Sequence, residues 1–406
     1  MHRIARSQRR ASLRHLVIQS VAAAAFLSGC GGGGGAGSGS STQPSGTGSF
    51  AAGAISGFGS VIVNGVRFDD SKARISDDDG NASASGNLRL GMQVEIQGGA
   101  VSDDGSGRRA EANEIHFGSE LVGPVSSVDA AARTLVVLGQ TVLVLDTTVI
   151  DDRLVGGFGA ITVGTRLEVH GTRDATTGAI TATRIEPTGA AGGFKLRGPV
   201  ANLDAVVKTF TIGGALVSYA GVTSLPAGGL VNGVLVRVRV QATQVAGAWV
   251  ATRIDAARPH VDDANEAEVE GSITAFTSST SFSINGIPVD ASKATFPNGS
   301  AGVVLGAQVE VHGTSSNGLV TATTVKVETH ADRKAEGFEL HGAITAADAT
   351  AKTFVLRGVT VSYGTGTVDF RKGTAAQLVA GAQLEVRGTL SADGTMLQAT
   401  RISFGD

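Results

Sequence analysis

The chain has 406 residues, 42% of them apolar, 17% charged and only 4% aromatic, with a formal net charge of −3. That length holds several small domains, and the apolar share is enough to fill their cores. Fifty-eight glycines against eight prolines point to short strands joined by tight turns, and the scarcity of rings disfavours binding by base stacking.

Residues 1–29 have the layout of an export signal. Arg3, Arg6, Arg9, Arg10 and Arg14 form a positive segment free of acids, followed by an apolar stretch from Leu16 to Leu27. That stretch is too short to span a bilayer as a helix, which takes roughly 20 residues. Removing residues 1–29, with five arginines and no acid, takes the net charge from −3 to −8. An acidic body is a poor match for phosphate backbones, so no nucleic-acid partner is expected.

Leu27-Ser28-Gly29-Cys30 resembles the lipobox of bacterial lipoproteins. The resemblance implies cleavage between Gly29 and Cys30, a diacylglycerol thioether on Cys30 and acylation of the new amine, making the membrane a partner through Cys30. An ordinary signal peptide is the alternative. Against it stand the position of Cys30, its being the only cysteine, and the glycine run that follows. In lipoproteins, Asp directly after the acylated cysteine tends to retain the protein at the inner membrane. Residue 31 is Gly, so the outer membrane is the expected location. Residues 30–49 read as a Gly/Ser tether with a reach of roughly 25 Å.

From residue 50 onward one pattern recurs five times. Each copy opens on a Gly-x-Ile/Val step: Gly53, Gly123, Gly198, Gly271 and Gly342, spaced 70, 75, 73 and 71 residues apart. A strand and turn follow, then a segment such as GTRLEVHG at Gly164 or GAQVEVHG at Gly306, then a closing Ala-x-x-Ile/Val such as ATRI at Ala182. The expected boundaries are 50–118, 119–189, 194–256, 266–329 and 336–406. Apolar residues alternate with a period of two, placing Phe210, Phe282 and Phe354 inward and directing Glu168 and His170 outward. Asn64-Gly65, Asn285-Gly286, Asn317-Gly318 and Asp393-Gly394 have the chemistry of two-residue hairpin turns. The three-residue spacing of the closing Ala and Ile breaks alternation and predicts a bulge. No window of twelve or more residues patterns as an amphipathic helix.

The fold class expected is therefore all-β: five tandem small barrels of five or six strands, closed so that no edge is left open. Short connectors suggest barrels in series that support one another end to end. The Gly-x-x-Val/Leu-Glu-Val-x-Gly segment with its following Ala-x-x-Ile resembles a domain-of-unknown-function family of OB-like barrel repeats found in bacterial lipoproteins, over residues 50–406. That resemblance implies a fold and an envelope location and no activity. The third copy departs from the pattern, with Arg237 for the glutamate and Val240 for the second glycine.

Glu95, Glu168, Glu310 and Glu385 recur at one position, and a solvated strand face is the expectation; Glu168 with Arg184 and Glu385 with Arg401 would be complementary pairs. His170 and His312 read as surface histidines, since Glu-x-His supplies only two ligands. Asp77-Asp78-Asp79-Gly80 reads as an acidic turn tip rather than a calcium loop, because Ala82 and Leu88 stand where an EF-hand needs glycine and an acid. No nucleophile motif or phosphate loop is present, so neither enzyme activity nor a cofactor or resident metal is expected. The leading expectation is a non-enzymatic envelope lipoprotein whose barrels serve as spacer or interaction modules for an envelope partner. The alternative is carbohydrate or cell-wall binding through Trp249 and Tyr219, with Tyr363 a further ring to consider.

Overall fold

A computed structural model describes residues 48–105, 107–189, 193–257 and 259–405. The signal segment, Gly29, Cys30 and the tether up to residue 47 lie outside the described residues.

The segment 121–187 shows how each unit is built. Its five principal strands are Leu121–Asp129, Thr134–Val137, Gln140–Leu143, Arg166–Arg173 and Ile180–Pro187. The first pairs antiparallel with the second, the second with the third, and the fourth with both the fifth and the first. The third runs parallel to the fifth, which closes the sheet into a barrel. This order, first-second-third-fifth-fourth and back to first, is repeated by the pairings within 264–327 and 338–404. It recurs in 49–118 and 194–256, where the opening strand is interrupted. The all-β, OB-like expectation is met. We call these segments the first to fifth barrels in chain order.

Two sequence landmarks explain each other. The opening glycine lies beneath the hairpin that joins the second and third strands. A Cβ at Gly123 would sit 2.5 Å from the Leu138 side chain, and one at Gly271 2.2 Å from that of Asn285. Those hairpins are two-residue turns with positive φ at both central residues: Asn64-Gly65 (50° and 76°), Asn285-Gly286 (50° and 94°), and also Leu138-Gly139 (49° and 74°). Asn317-Gly318 (53° and 77°) turns the last hairpin of the fourth barrel in the same way. Asp393-Gly394 does not. It lies in a wider loop between Leu390 and Leu397, closed by Ser391 N–H donating to Met396 O at 2.8 Å.

The predicted bulge is present in each closing hairpin. In the second barrel His170 faces Arg184 and Gly171 faces Ala182, which leaves Thr183 as the extra residue. Thr323, Thr400 and Thr252 are the counterparts, and Asn113 in the first barrel. The glycine facing the bulge is a close-approach position, since a Cβ at Gly313 would lie 2.1 Å from Thr321 O. Val240 occupies this place in the third barrel. There the ladder breaks between Val240 and Gln244, and residues 241–247 are exposed. The barrel closes all the same.

The barrels are not strung end to end. The opening strand of the first, Ser49–Ala54, pairs in parallel with Ala264–Ser278 of the fourth, and Gly57–Phe58 pairs in parallel with Phe338–Asp348 of the fifth. Leu121 and Val122 pair with Leu196 and Lys195, which joins the second and third in one sheet. Apolar cores follow these unions: one spans the first and fifth barrels, one the second and third, and one the fourth together with Phe50 and Ala52. The sequence pattern carried no sign of this, because it records strands within a copy and not the faces that copies offer each other. Among the described residues the single α-helix is His330–Glu336, started by a Thr329–Asp332 capping box. It bonds Asp146 of the second barrel through His330 (2.6 Å) and Lys334 (2.5 Å). No helix among the described residues is long and apolar enough to cross a membrane.

Candidate functional site

The recurring glutamates share a strand position but not an environment. In the observed register Glu168 faces Glu186 rather than Arg184, and Glu385 faces Ser403 rather than Arg401. Arg184 instead donates to Asp151 (2.5 Å) and Glu186, and Arg401 donates to Asp369. Glu310 faces Lys326, whose ammonium bonds it at 3.1 Å. Glu95 stands in the wall of a cleft and faces His116.

That cleft, of about 650 Å³, lies where the first barrel meets the second, third and fourth. The strand Gln93–Gly98 lines it together with Arg74, Glu114, His116, Arg197, Arg237 and His260. No Phe, Tyr or Trp among the described residues lines it. Burial pushes the Glu95 carboxyl up from its ordinary value, opposed by the positive charges of His116 and Arg197 and by the backbone N–H of His260 at 3.3 Å. Arg197 ties the rim together. It donates to Glu120 Oε1 (2.5 Å), to Ala257 O (3.3 Å) and to Asn285 O of the fourth barrel (3.3 Å). The expectations missed Glu120 and Arg197, because their roles exist only once barrels have docked.

The acidic run is neither a solvated tip nor a calcium loop in form. Asp77 accepts from the backbone N–H of Asp79 and Asn81 and so folds the turn. Asp78 is buried against Lys195 Nζ at 2.7 Å, and Asp79 pairs with Arg239. The run is the arm that docks the first barrel on the third.

The rings put forward for glycan stacking are held by core contacts. Tyr219 is buried, 5.8 Å from Phe210, and its hydroxyl donates to Asp204 O at 3.4 Å. Trp249 is half-buried and meets Phe194 edge-on at 5.6 Å; Tyr363 leans on Phe354 at 6.1 Å. None of the three lines the cleft.

The histidines divide sharply. His170 is fully buried, not on the surface, because the end of the first barrel covers the outer face of its strand: its Nδ1 lies 2.9 Å from Gly118 O. His312, at the equivalent position, bridges Glu268 (2.9 Å) and Glu310 (3.1 Å), which pushes its pKa up to about 9. Two groups among the described residues bring three ligand atoms within 4.8 Å of one another: Glu168, His170 and Glu186, and Glu339, His341 and Glu385. In the second group Glu339 is already held by Arg67, Arg387 and His341.

A family model described as a domain of unknown function, DUF5666, matches residues 122–186, 197–255, 270–326 and 341–403. The chain belongs to the DUF5666 family. The four matched stretches are the second to fifth barrels; 49–118 lies outside them and shares their strand order. No curated protein matches the chain.

Proposed function

We propose that this DUF5666 protein is a non-enzymatic lipoprotein of the cell envelope, held to the outer membrane through acylated Cys30, whose barrels form one interaction body. The observation that carries the interaction half of this reading is the parallel pairing of Ser49–Ala54 with Ala264–Ser278, some two hundred residues away in sequence. Such pairing gathers the barrels together and creates the cleft around Glu95, whereas a spacer needs its units in line. The mixed charges of the cleft suit a polar partner recognised by hydrogen bonds and ion pairs. A glycan partner held by ring stacking loses support from the burial of Tyr219 and the edge-on packing of Trp249.

Two measurements test the two halves. Labelled palmitate should enter the full chain, and Cys30→Ser should abolish the label and move the protein from the membrane to the soluble fraction. Label that persists in Cys30→Ser, or a wild type that is soluble, refutes the anchor. Small-angle scattering of the Cys30→Ser protein should give a radius of gyration of roughly 20 Å for the barrel body, as for a compact chain of this size. A rod-like profile would return the spacer to the front.

A further inference from the structure

We propose that Glu168, His170 and Glu186 form a binding site for one divalent transition-metal ion, with zinc as the probe. The three residues lie on the fourth and fifth strands of the second barrel, with Glu168 directly facing Glu186 and His170 next to them. Two ligands come from one strand and the third from its partner, so the ladder fixes their spacing.

The imidazole is prepared for a cation. Gly118 O can only accept, so Nδ1 carries the proton and donates to it. Nε2 therefore presents its lone pair. It is buried, has no hydrogen-bond partner, and points toward Glu168 Oε1 at 3.8 Å. A protonated Nε2 would be expected to close on that carboxylate. A carbonyl acceptor on the far nitrogen is the arrangement that orients a metal-ligating histidine.

The carboxylates fit the same role. Arg184 donates twice to Glu186 Oε2, at 2.8 and 2.9 Å, which orients that side chain. Arg184 also pairs with Asp151, and the nearby Lys195 is taken by Asp78. The charge of Glu168 is left uncompensated by these pairs. Two zinc ligands at ordinary bond lengths sit about 3.3 Å apart in a tetrahedron. The His170 Nε2 to Glu168 Oε1 distance is 3.8 Å and all three ligand atoms lie within 4.8 Å of one another, so side-chain rotation must draw them in by up to about 1.5 Å. One nitrogen with two carboxylates selects a transition ion over magnesium or calcium, which prefer oxygen alone. The Glu168 side chain is 27% exposed and provides the route from solvent.

His312 is the built-in comparison. It sits at the same strand position with two carboxylates, yet both ring nitrogens lie within hydrogen-bond distance of them, so both protons are held and no lone pair is offered.

The test is zinc titration of the purified, chelator-stripped full chain by calorimetry, with cobalt absorption as a second probe of the nitrogen and oxygen ligands. The wild type should bind one zinc per chain. Glu168→Gln, at a position only partly buried, should weaken binding about tenfold or more, and His170→Gln should abolish it. His312→Gln should bind as the wild type does. A melting curve shows whether each variant is folded; the Glu168→Gln result decides if His170→Gln is not. Absence of stoichiometric zinc binding in the wild type overturns the proposal. So does zinc binding that is unchanged in Glu168→Gln or lost in His312→Gln.

Discussion

Asp78 and Lys195 form the most deeply buried inter-barrel ion pair of the docking arm, with side chains 8% and 3% exposed and 2.7 Å between them. Burial by itself would raise the Asp78 pKa. The charge and hydrogen bond of Lys195, together with Arg237 and Arg239, outweigh it, so the net shift is downward. Asp78→Ala leaves an ammonium in the interface without a counter-charge, which costs about 3–5 kcal/mol. Replacing both partners by apolar residues, Asp78→Leu with Lys195→Met, should recover most of that loss, because no charge then stays buried. Equilibrium urea unfolding at pH 7 of the wild type, the single variant and the double variant measures both numbers. The pH dependence supplies an independent check. A carboxyl with a depressed folded pKa contributes stability that is complete above its ordinary value of 3.8 and is lost as pH falls through the lower folded value. Asp78→Ala should therefore reduce the loss of stability at acid pH. A cost below about 1 kcal/mol for Asp78→Ala, or a double variant as unstable as the single, would refute the claim that this pair docks the two barrels.

Other outcomes follow from the same structure. His312, raised from 6.5 to about 9, contributes stability that is complete below its ordinary value and lost as pH rises through 9; Glu310, lowered from 4.5 to about 2, contributes above its ordinary value and loses that as pH falls through 2. Melting temperature against pH should fall on the alkaline side in the wild type and less steeply in His312→Gln. Glu270 is pushed up to about 8 by burial and by the neighbouring charges of Glu328, Glu336 and Glu310. Glu270→Gln should therefore gain about 1 kcal/mol or more in denaturant unfolding at pH 8, with the gain shrinking toward pH 4.5. Gly313→Ala drives a Cβ against Thr321 O and should cost about 1–3 kcal/mol. Gly159→Ala, with open space around it, should change stability by no more than about 0.5 kcal/mol, and equal effects in thermal melts would contradict the bulge argument.

Much of each barrel was legible in the sequence because the interior is a local matter. Alternation in TFTI at Thr209 puts Phe210 and Ile212 inside, Asn-Gly pairs set positive φ, and the Ala182 to Ile185 spacing betrays the bulge. Apart from Asp393-Gly394, whose turn chemistry sits in a wider loop, the failures concern the outer faces. His170 patterns as an outward residue and does point out of its barrel, but the end of the first barrel covers it. Asp77 to Asp79 have turn chemistry, yet two of the three are used by Lys195 and Arg239, more than a hundred residues away. Glu168 and Arg184 look complementary, but the partner of Glu168 depends on the strand register, which pairs it with Glu186.

The bulged threonines show how copies of one pattern come to do different work. In the third, fourth and fifth barrels the hydroxyls of Thr252, Thr323 and Thr400 donate to the facing carbonyls of Arg239, His312 and Arg387, at 3.1–3.2 Å. These bonds are internal and hold the bulge. Thr183 has the same place in the second barrel but donates at 2.6 Å to Gly91 O of the first, where a Cβ would collide with the Thr183 carbonyl. The repeat therefore fixes a donor in space, and the neighbour decides what accepts from it. The same reasoning applies to the side chain of the residue facing the bulge, where His170 is buried against Gly118 and His312 bridges Glu268 and Glu310. Barrel-forming residues are held by packing that every copy must satisfy, whereas outward residues answer only to the contacts of one copy. Chemistry specific to this chain is thus to be sought where outward faces meet, at Glu168 and His170 and around Glu95, and not in the family pattern itself.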